Sequence, residues 1–241
     1  SGSGDRRLPN IDLQINGDIL LSGANLINEH NRSIHLKGDF EFDAGAFEAG
    51  TGSEAQMILN GASSQFVTGN AVFTGTNGFN HLEINNSAGV VVETDVEVQN
   101  SLTLTSGIVD NSLGNRFALM NPSSASLTGG NSSAYIAGPF EKQISNGGFF
   151  EFPMGDGSRY GTLKVSSTQT GAAAPWVVRY FNTNPANDAL DPNEVISPIE
   201  FVSNNEYWNV KGPDGSDAHV TVRWDDQSGI SAKETERQDL R

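Results

Sequence analysis

Short pairs of apolar residues, in which one polar or small residue separates the two members, recur along most of the chain. They are clearest in the segment 79–110, where the pairs are Leu82/Ile84, Val90/Val92, Val96/Val98 and Leu102/Leu104, followed by Ile108. From Val90 the pairs restart every six residues, at positions 90, 96, 102 and 108. Alternation with a period of two predicts β-strands, and this spacing leaves three or four residues for each strand. Strands so short cannot bury a face alone, so the pattern predicts stacked coils, as in a parallel β-helix.

A longer repeat begins earlier in the chain. An alternating strand is followed by a polar residue and then by Gly or Asn at Ile15-Asn16-Gly17, Leu36-Lys37-Gly38, Leu59-Asn60-Gly61 and Ile84-Asn85-Asn86. The steps between the apolar residues are 21 (15 to 36), 23 (36 to 59) and 25 (59 to 84). A period in the low twenties matches one coil with three short sides. We expect the Gly and Asn residues to form the corners, because both tolerate the left-handed backbone of a sharp bend.

The alternation also predicts which side chains point into the coil. The predicted inward residues are Ile11, Leu13, Ile15, Leu36, Phe42, Leu59, Phe66, Leu82, Ile84, Val96, Val98, Leu102 and Leu104. The predicted water-facing residues are Asp12, Gln14, His35, Glu41, Glu83, Glu93, Glu97 and Gln99. Most of the acidic charge is thereby expected on a solvated exterior.

The pattern changes after about residue 140, where strands alternate with glycine-rich turns. Asn146-Gly147-Gly148 and Gly155-Asp156-Gly157 are typical hairpin turn sequences. A meander here would cover the open last coil, whose unpaired backbone groups otherwise invite aggregation. From Trp176 the predicted strands lengthen, over 176–181, 199–202, 206–210 and 219–224. The only segment with a helical pattern, a weak one, is Ser231 to Leu240.

The predicted fold is therefore all-β: a right-handed parallel β-helix followed by an antiparallel β-meander and a small β-sandwich-like domain. The predicted boundaries are 8–140 for the β-helix, 141–170 for the capping meander and 171–241 for the sandwich-like domain.

Composition narrows the function classes. The chain has 14 Lys+Arg against 29 Asp+Glu, a formal charge of −15, which argues against nucleic acid or an anionic membrane surface as a partner. Cysteine is absent, which excludes disulfides and thiolate sites. No apolar run reaches the roughly 18 residues of a membrane span. The opening Ser-Gly-Ser-Gly is typical of an added tag, and we interpret the chain as a piece of a longer polypeptide.

Four segments of the region 79–241 carry a family resemblance. They are 82–86 with 102–107, Ala134-Tyr-Ile-Ala-Gly-Pro139, Phe150-Glu-Phe-Pro-Met-Gly-Asp156 with Tyr160, and Ser203-Asn-Asn-Glu-Tyr-Trp208 with 220–225. Together they resemble a module of large secreted and cell-surface proteins of Bacteroidota, which often leave the cell by the type IX secretion system and include adhesins. The resemblance implies an extracellular stalk or spacer and brings no catalytic residues with it.

Parallel β-helices also host polysaccharide lyases and glycoside hydrolases, so carboxylate pairs need attention. Glycoside hydrolysis needs two carboxylates about 5–10 Å apart. Glu93/Asp95/Glu97 and Asp39/Glu41/Asp43 offer such pairs on one strand face, although alternating acids are also the ordinary surface of a strand. The basic residues that a lyase would need, such as Lys37, Arg116 and Lys142, form no cluster in the sequence.

Three further groups could bind ligands. The histidines are His30, His35, His81 and His219, which we interpret as surface residues. The acidic loops 188–194 and 214–217 place oxygen ligands suited to Ca²⁺, although Asx turns explain them equally. The aromatic residues Trp176, Tyr180, Tyr207, Trp208 and Trp224 would stack on sugars if exposed, but alternation favours the core for Trp208 and Trp224.

The sequence thus favours a non-enzymatic structural or adhesive region of an extracellular bacterial surface protein, with no catalytic, cofactor or metal residues. The alternative is a glycan-binding or polysaccharide-degrading β-helix. Expected partners are another surface protein, a glycan, or a second copy that adds a strand at the open N-terminal coil; nucleic acid and membrane insertion are not expected.

Overall fold

Short strands make up most of the chain. The computed structural model describes residues 4–168, 171–191 and 202–229. The strands are β1 (Gly4–Arg7), β2 (Leu13–Ile15), β3 (Ile19–Ile27), β4 (Ile34–Leu36), β5 (Phe40–Glu48), β6 (Gln56–Leu59), β7 (Gln65–Thr68), β8 (Phe79–Asn85), β9 (Val90–Val92), β10 (Val96–Ser106), β11 (Val109–Asp110), β12 (Phe117–Leu119), β13 (Leu127–Gly129), β14 (Ile136–Ala137), β15 (Phe140–Ile144), β16 (Phe149–Phe152), β17 (Met154–Gly155), β18 (Leu163–Ser167), β19 (Ala174–Phe181), β20 (Tyr207–Lys211) and β21 (Ala218–Val222). The helical turns are all 3₁₀, at Gly75–Asn77, Ser124–Ser126, Pro185–Asp188 and Asp226–Ser228.

The strands wind into a parallel β-solenoid of about seven turns, followed by antiparallel sheet. One sheet has the order β1-β3-β5-β7-β9-β11-β14-β17, and the other runs β2-β4-β6-β8-β10-β12-β15-β19-β20, with β13 beside β10. The chain alternates between these two sheets as it climbs. The predicted all-β solenoid with an antiparallel end is confirmed.

The strand register reproduces the sequence repeat. Ile15 pairs with Leu36, Leu36 with Leu59, and Leu59 with Ile84, which are the positions that define the 21-, 23- and 25-residue steps. Val90 pairs with Val109, so the six-residue spacing of the segment 90–110 goes once around the solenoid. The alternating pairs are therefore successive sides of one turn.

The longest strands bend and contribute to two sides each. In β3 the register with β5 shifts between Leu21 and Ala24, and the second half of β3 also pairs with β1. In β10 the register with β8 shifts between Val98 and Ser101. The first half of β10 pairs with β12 and the second half with β13. The bend in β3 and the bend in β10 lie at different corners of the coil. One side of the coil therefore belongs to the sheet of β3 in the first turns and to the sheet of β10 in the later turns.

The interior is an apolar core built from alternate residues. Burial is confirmed for nine of the predicted inward residues, namely Leu36, Phe42, Leu59, Leu82, Ile84, Val96, Val98, Leu102 and Leu104, while Leu13 and Ile15 are half-buried. The prediction is wrong for Ile11, which is 62% exposed, because it precedes β2 in the sparsely covered first turn. It is also wrong for Phe66: Val67 pairs with Phe40 and takes the inward position, which leaves Phe66 outside.

The first turn is the least buried part of the solenoid. All four residues of β1 are exposed, and β2 is exposed or half-buried throughout. No further turn is described below it, so the only parallel neighbour of β2 is β4.

The expected left-handed backbone is wrong for the corner glycines Gly17, Gly38 and Gly61, none of which has a positive φ. The requirement at Gly61 is space. A Cβ atom there would lie 2.6 Å from the carbonyl oxygen of Lys37 in the turn below and 2.9 Å from the side chain of Gln65. At Gly38 and Gly61, glycine is needed because neighbouring turns approach closely at the corner, whereas a Cβ atom at Gly17 would meet nothing within 4 Å.

The C-terminal end of the solenoid is closed by antiparallel strands. Parallel pairing continues past residue 140, because Ile136 pairs with Met154. β15 pairs in parallel with β12 and antiparallel with β19, and β19 in turn pairs with β20. A separate three-stranded sheet, β16-β18-β21, brings Phe150 and Phe152 against Phe140 of the last turn. The predictions for residues 192–201 and for Ser231–Leu240 lie outside the described residues.

Candidate functional site on the capping sheet

None of the carboxylate pairs predicted from the sequence lines the three depressions described below. Glu97, predicted to face water, is only 9% exposed because Arg116 covers it and forms an ion pair with it. Arg116 also makes two hydrogen bonds to Glu141, of 2.9 and 2.7 Å. The second oxygen of Glu97 accepts from the backbone N–H of Gly75 at 2.6 Å. The cluster ties β10, β15 and the segment before β12 together on the outer surface.

The protonation of this cluster follows from its geometry. Burial acts to raise the pKa of Glu97, but the hydrogen bonds from Arg116 and Gly75 outweigh burial and leave the pKa below its ordinary value. The hydrogen bonds from the Arg116 guanidinium to Glu141 and Glu97 raise the pKa of Arg116. Glu97 is thus held as an anion, which suits an ion pair and not the proton donor of a glycosidase.

Several aspartates bind the backbone of the next turn. Asp18 Oδ1 accepts from the N–H of Asp39 at 2.9 Å, and Asp39 Oδ1 accepts from the N–H of Phe66 at 2.8 Å. Asp95 Oδ1 accepts from the N–H of Arg116 at 2.8 Å. Asp12 and Asp43 make the same kind of bond to Ser33 and Asn70. The acidic exterior is therefore more than solvated surface, because these carboxylates link successive turns.

Two buried amides, Gln65 and Asn86, make equivalent links at the corner between the sheets; the sequence patterns identified Asn86 only as a corner residue and did not single out Gln65. The Gln65 amide nitrogen donates to the carbonyls of Leu36, at 3.0 Å, and Gly38. Its oxygen accepts from the N–H of Gly61 at 2.7 Å and from the Asn86 amide at 3.0 Å. One side chain thus connects three turns. Both residues are 1% exposed or less.

The histidines do not converge. His81 lies 2.6 Å from the hydroxyl of Ser101, and burial lowers the pKa of its imidazole. His35 contacts Asn60 at 3.5 Å, two strands away from β8 in the same sheet. In the described ranges, no group of three or more His, Asp or Glu side chains could hold a metal ion. Of the acidic loops, Asp188 accepts from the Tyr207 hydroxyl at 2.7 Å, and residues 192–194 lie outside the described part.

Lys142 lies inside the solenoid instead of on its surface. Its side chain follows Phe140 and precedes Ile144 in the inward alternation of β15, and it is fully buried. The ammonium donates to the carbonyls of Asn121 and Gln143, and it stands 5.0 Å from the centre of the Phe150 ring. Burial lowers the pKa of Lys142 to about 8.

A buried polar network fastens the C-terminal segment. Arg159 forms ion pairs with Glu206 at 3.3 Å and with Asp225 at 2.7 Å. The Tyr180 hydroxyl donates to Glu206 at 2.6 Å. Burial, followed by this bond to the Glu206 carboxylate, raises the pKa of Tyr180. These contacts join the turn 156–160 to the loops around β20 and β21.

The C-terminal aromatic residues divide into two groups. Trp176 and Tyr180 are buried in the core, and Trp208 is half-buried, with its ring 5.3 Å from that of Tyr180. The prediction of a core position is wrong for Trp224, which is half-buried and outside the core cluster. β21 ends at Val222, so strand alternation no longer determines where Trp224 points.

A depression of about 460 Å³ lies beside β19 and includes Arg179 and Phe181. Its aromatic ring is already engaged: the guanidinium carbon of Arg179 lies 4.8 Å from the centre of the Phe181 ring, and Tyr207 stacks on Phe181 at 4.5 Å. The ring is therefore poorly placed to stack on a ligand.

Two smaller depressions border the three-stranded sheet, the second of them against the solenoid segment 124–130, and they have a different character. Their volumes are about 380 and 330 Å³, and both are lined by Glu151. We call the combined surface the capping groove and define it by Phe149, Glu151, Tyr160, Lys164, Arg223 and Trp224. Glu151 and Lys164 are directly opposite each other in the β16-β18 register. Of this set, the sequence had identified only Trp224 as a candidate ligand contact; Glu151, Tyr160 and Arg223 occurred only within the segments that carry the family resemblance.

Comparisons with known proteins do not assign the chain to a family. No family model, curated protein or solved structure matches it. The class of fold, a parallel β-solenoid closed by antiparallel strands, rests on the structure alone. Within the described ranges, no helix is long and apolar enough to cross a membrane.

Proposed function

We propose that this chain is a non-enzymatic structural region, a stalk, spacer or fibre segment, of an extracellular bacterial surface protein. The observation that carries the proposal is the use of polar side chains between turns. Asp18, Asp39, Gln65 and Glu97 each bond to the backbone or side chains of a neighbouring turn. A β-solenoid is compatible with a structural or adhesive role.

The physical advantage of this arrangement is a rigid rod. Each turn contacts mainly the turns beside it, so rigidity depends on the bonds across each interface. Carboxylates and amides add to the backbone ladders at the outer surface and at the buried corner. Such side chains are committed to architecture, whereas catalysis on a glycan would need carboxylates that are free to reach a substrate.

The resemblance to Bacteroidota surface proteins supports an extracellular location and secretion by the type IX system as part of this proposal. An antibody raised against the chain should label intact, unpermeabilised cells of the source organism. Labelling only after permeabilisation would contradict the surface location. An antibody against a cytoplasmic protein provides the control for cell integrity.

The non-enzymatic part of the proposal has its own test. The purified chain should release no reducing ends and no unsaturated sugars from a panel of acidic and neutral polysaccharides. Turnover that Glu97→Gln or Glu151→Gln abolishes, in a variant with unchanged melting temperature, would show an enzyme instead.

A further inference from the structure

Beyond this structural role, and independently of it, we propose that the capping groove binds a short oligosaccharide containing uronic acid. The groove combines an available aromatic ring, two cations without carboxylate partners and a carboxylate with a free oxygen. The depression beside β19 does not offer this combination, because its Phe181 ring is stacked on Tyr207 and contacts Arg179.

The aromatic ring is that of Trp224. Within the described part of the chain, its indole stacks on no other ring and its Nε1 donates no hydrogen bond, although the side chain is only half-buried. Phe149, at the other end of the groove, is 52% exposed. Trp is the best residue for a flat apolar contact with a polar handle, and sugar rings present C–H faces to such surfaces. A partly exposed aromatic ring in a concave site is a common feature of ligand-binding surfaces.

The cations are Lys164 and Arg223. Neither forms an ion pair with a carboxylate of the described residues, although the protein has 29 acidic residues to 14 basic ones. The Lys164 ammonium stands 4.5 Å from the centre of the Phe149 ring, which places it within the groove. Both cations line the same depression as Trp224. The groove is thus locally cationic on an acidic protein, which favours an anionic ligand.

The third element is Glu151. Its Oε1 accepts from the Thr162 hydroxyl at 3.1 Å, and no hydrogen bond to its Oε2 is found in the described residues. A carboxylate oxygen at the junction of the two depressions is placed to accept from a sugar hydroxyl. Two cations against one carboxylate leave a positive balance for the ligand's own carboxylate.

These features select a sugar acid over the other ligand with the same chemistry, a single-stranded nucleic acid. Both would stack on Trp224 and pair with Lys164 and Arg223. A polynucleotide carries one phosphate at every nucleotide. Where it extended beyond the groove, these phosphates would be repelled by the acidic surface of a protein with formal charge −15. A short oligosaccharide confined to the groove avoids that repulsion.

The test is calorimetric titration of the whole chain with tetragalacturonate and with alginate oligosaccharides. We expect saturable binding to at least one, tighter than about 1 mM. Trp224→Ala should weaken it about 30-fold, as for a buried aromatic anchor. Lys164→Ala and Arg223→Ala should each weaken it about fivefold and reduce its sensitivity to salt.

Controls separate the groove from the rest of the molecule. Phe66→Ala removes a partly exposed aromatic on the solenoid, and Lys37→Ala removes an exposed cation there; both should bind as wild type does. Melting temperatures of all variants establish that they are folded. If Trp224→Ala unfolds the chain, the test uses the smaller change Trp224→Phe together with Lys164→Ala and Arg223→Ala, and the proposal requires weaker binding in these variants.

Three results would overturn the proposal. They are the absence of binding to every uronate oligosaccharide, binding that all the groove variants retain, and equal or tighter binding of a neutral oligosaccharide or an oligothymidylate. Because the assay measures binding and not location or turnover, its failure would leave the structural role untouched.

Discussion

Phe73 stacks on Phe79, with ring centroids 5.1 Å apart and an angle of 15° between the rings, although the two residues lie on opposite sides of a 3₁₀ turn. Phe40, Phe42 and Phe47 pack around this pair, with ring centroids 4.7–6.0 Å away. All five rings are at most 1% exposed. The cluster fills the solenoid where two successive turns meet, and it is the largest group of contacting buried rings in the described residues.

Removing one of these rings should be costly. We expect Phe73→Ala to lower the free energy of unfolding by about 3–5 kcal/mol, because the rigid turns around it cannot close the cavity. Urea denaturation followed by circular dichroism measures the change. Phe66→Ala, seven residues away but outward-facing, is the matched control and should cost about 1 kcal/mol or less. Equal losses in both variants would contradict the assignment of inner and outer faces.

Gln65 should be as important as a core phenylalanine although it is polar. Gln65→Leu keeps the size of the side chain and leaves the carbonyls of Leu36 and Gly38, the N–H of Gly61 and the Asn86 amide without their partner. We expect a loss of about 2–4 kcal/mol in the free energy of unfolding. Gln56→Leu is the control, since Gln56 is half-buried and its amide donates to Glu83 at 3.2 Å. A loss no greater than that of the control would show that the corner amide is dispensable.

Lowering the pH should weaken the ion-pair cluster of Glu97, Arg116 and Glu141 on the outer surface. The pKa of Glu97 lies below its ordinary value of 4.5 in the folded chain, so unfolded molecules bind more protons as pH falls toward it. The stability contributed by Glu97 is thus present above about pH 4.5 and is lost as pH falls through the folded pKa. Glu97→Gln should lower stability at pH 7 by about 1–2 kcal/mol and flatten the acid limb of the stability curve. Glu93→Gln, which removes one negative charge at an exposed site, is the control for the change in net charge.

Raising the pH above 8 should increase the stability of the fold through Lys142. Its folded pKa of about 8 lies below the ordinary value of 10.5, so between these values the unfolded chain binds the additional proton. Stability from this residue therefore rises between pH 8 and pH 10 and is constant below that window. Relative to Lys142→Met, the wild type should gain up to about 3 kcal/mol across the window. Lys37→Met, which removes an exposed lysine, is the control for the loss of one positive charge. A stability difference between wild type and Lys142→Met that stays constant from pH 8 to pH 10 would contradict a buried lysine with a lowered pKa.

The sequence allowed the solenoid to be predicted at the level of individual pairings. Ile15, Leu36, Leu59 and Ile84 were identified as equivalent before the register showed them side by side, because a period-two strand followed by a close-packed corner repeats with little variation. The prediction of inward and outward positions was wrong where pairing with a neighbouring strand decided which residue points inward. Val67 displaces Phe66 because it pairs with Phe40, and no local pattern distinguishes the two residues.

The polar contacts were harder to predict for a related reason. Whether Gln65 or Asp39 faces water depends on which backbone group of the next turn lies above it, more than twenty residues away. The capping groove is even harder to predict from the sequence. It joins β16, β18 and the segment after β21, so Glu151, Lys164 and Trp224 meet only through antiparallel pairings that the sequence does not specify.

The C-terminal closure of the solenoid has a mechanical consequence. The last turn is held by Phe150 and Phe152, which pack on Phe140, and by the Arg159–Glu206 pair, in addition to its backbone ladder. Under tension along the rod, the turns below this closure would detach one at a time, and each would release about twenty residues. The closed end would stay intact longest, so the groove on the capping sheet would keep its shape while the rod below it lengthened under load.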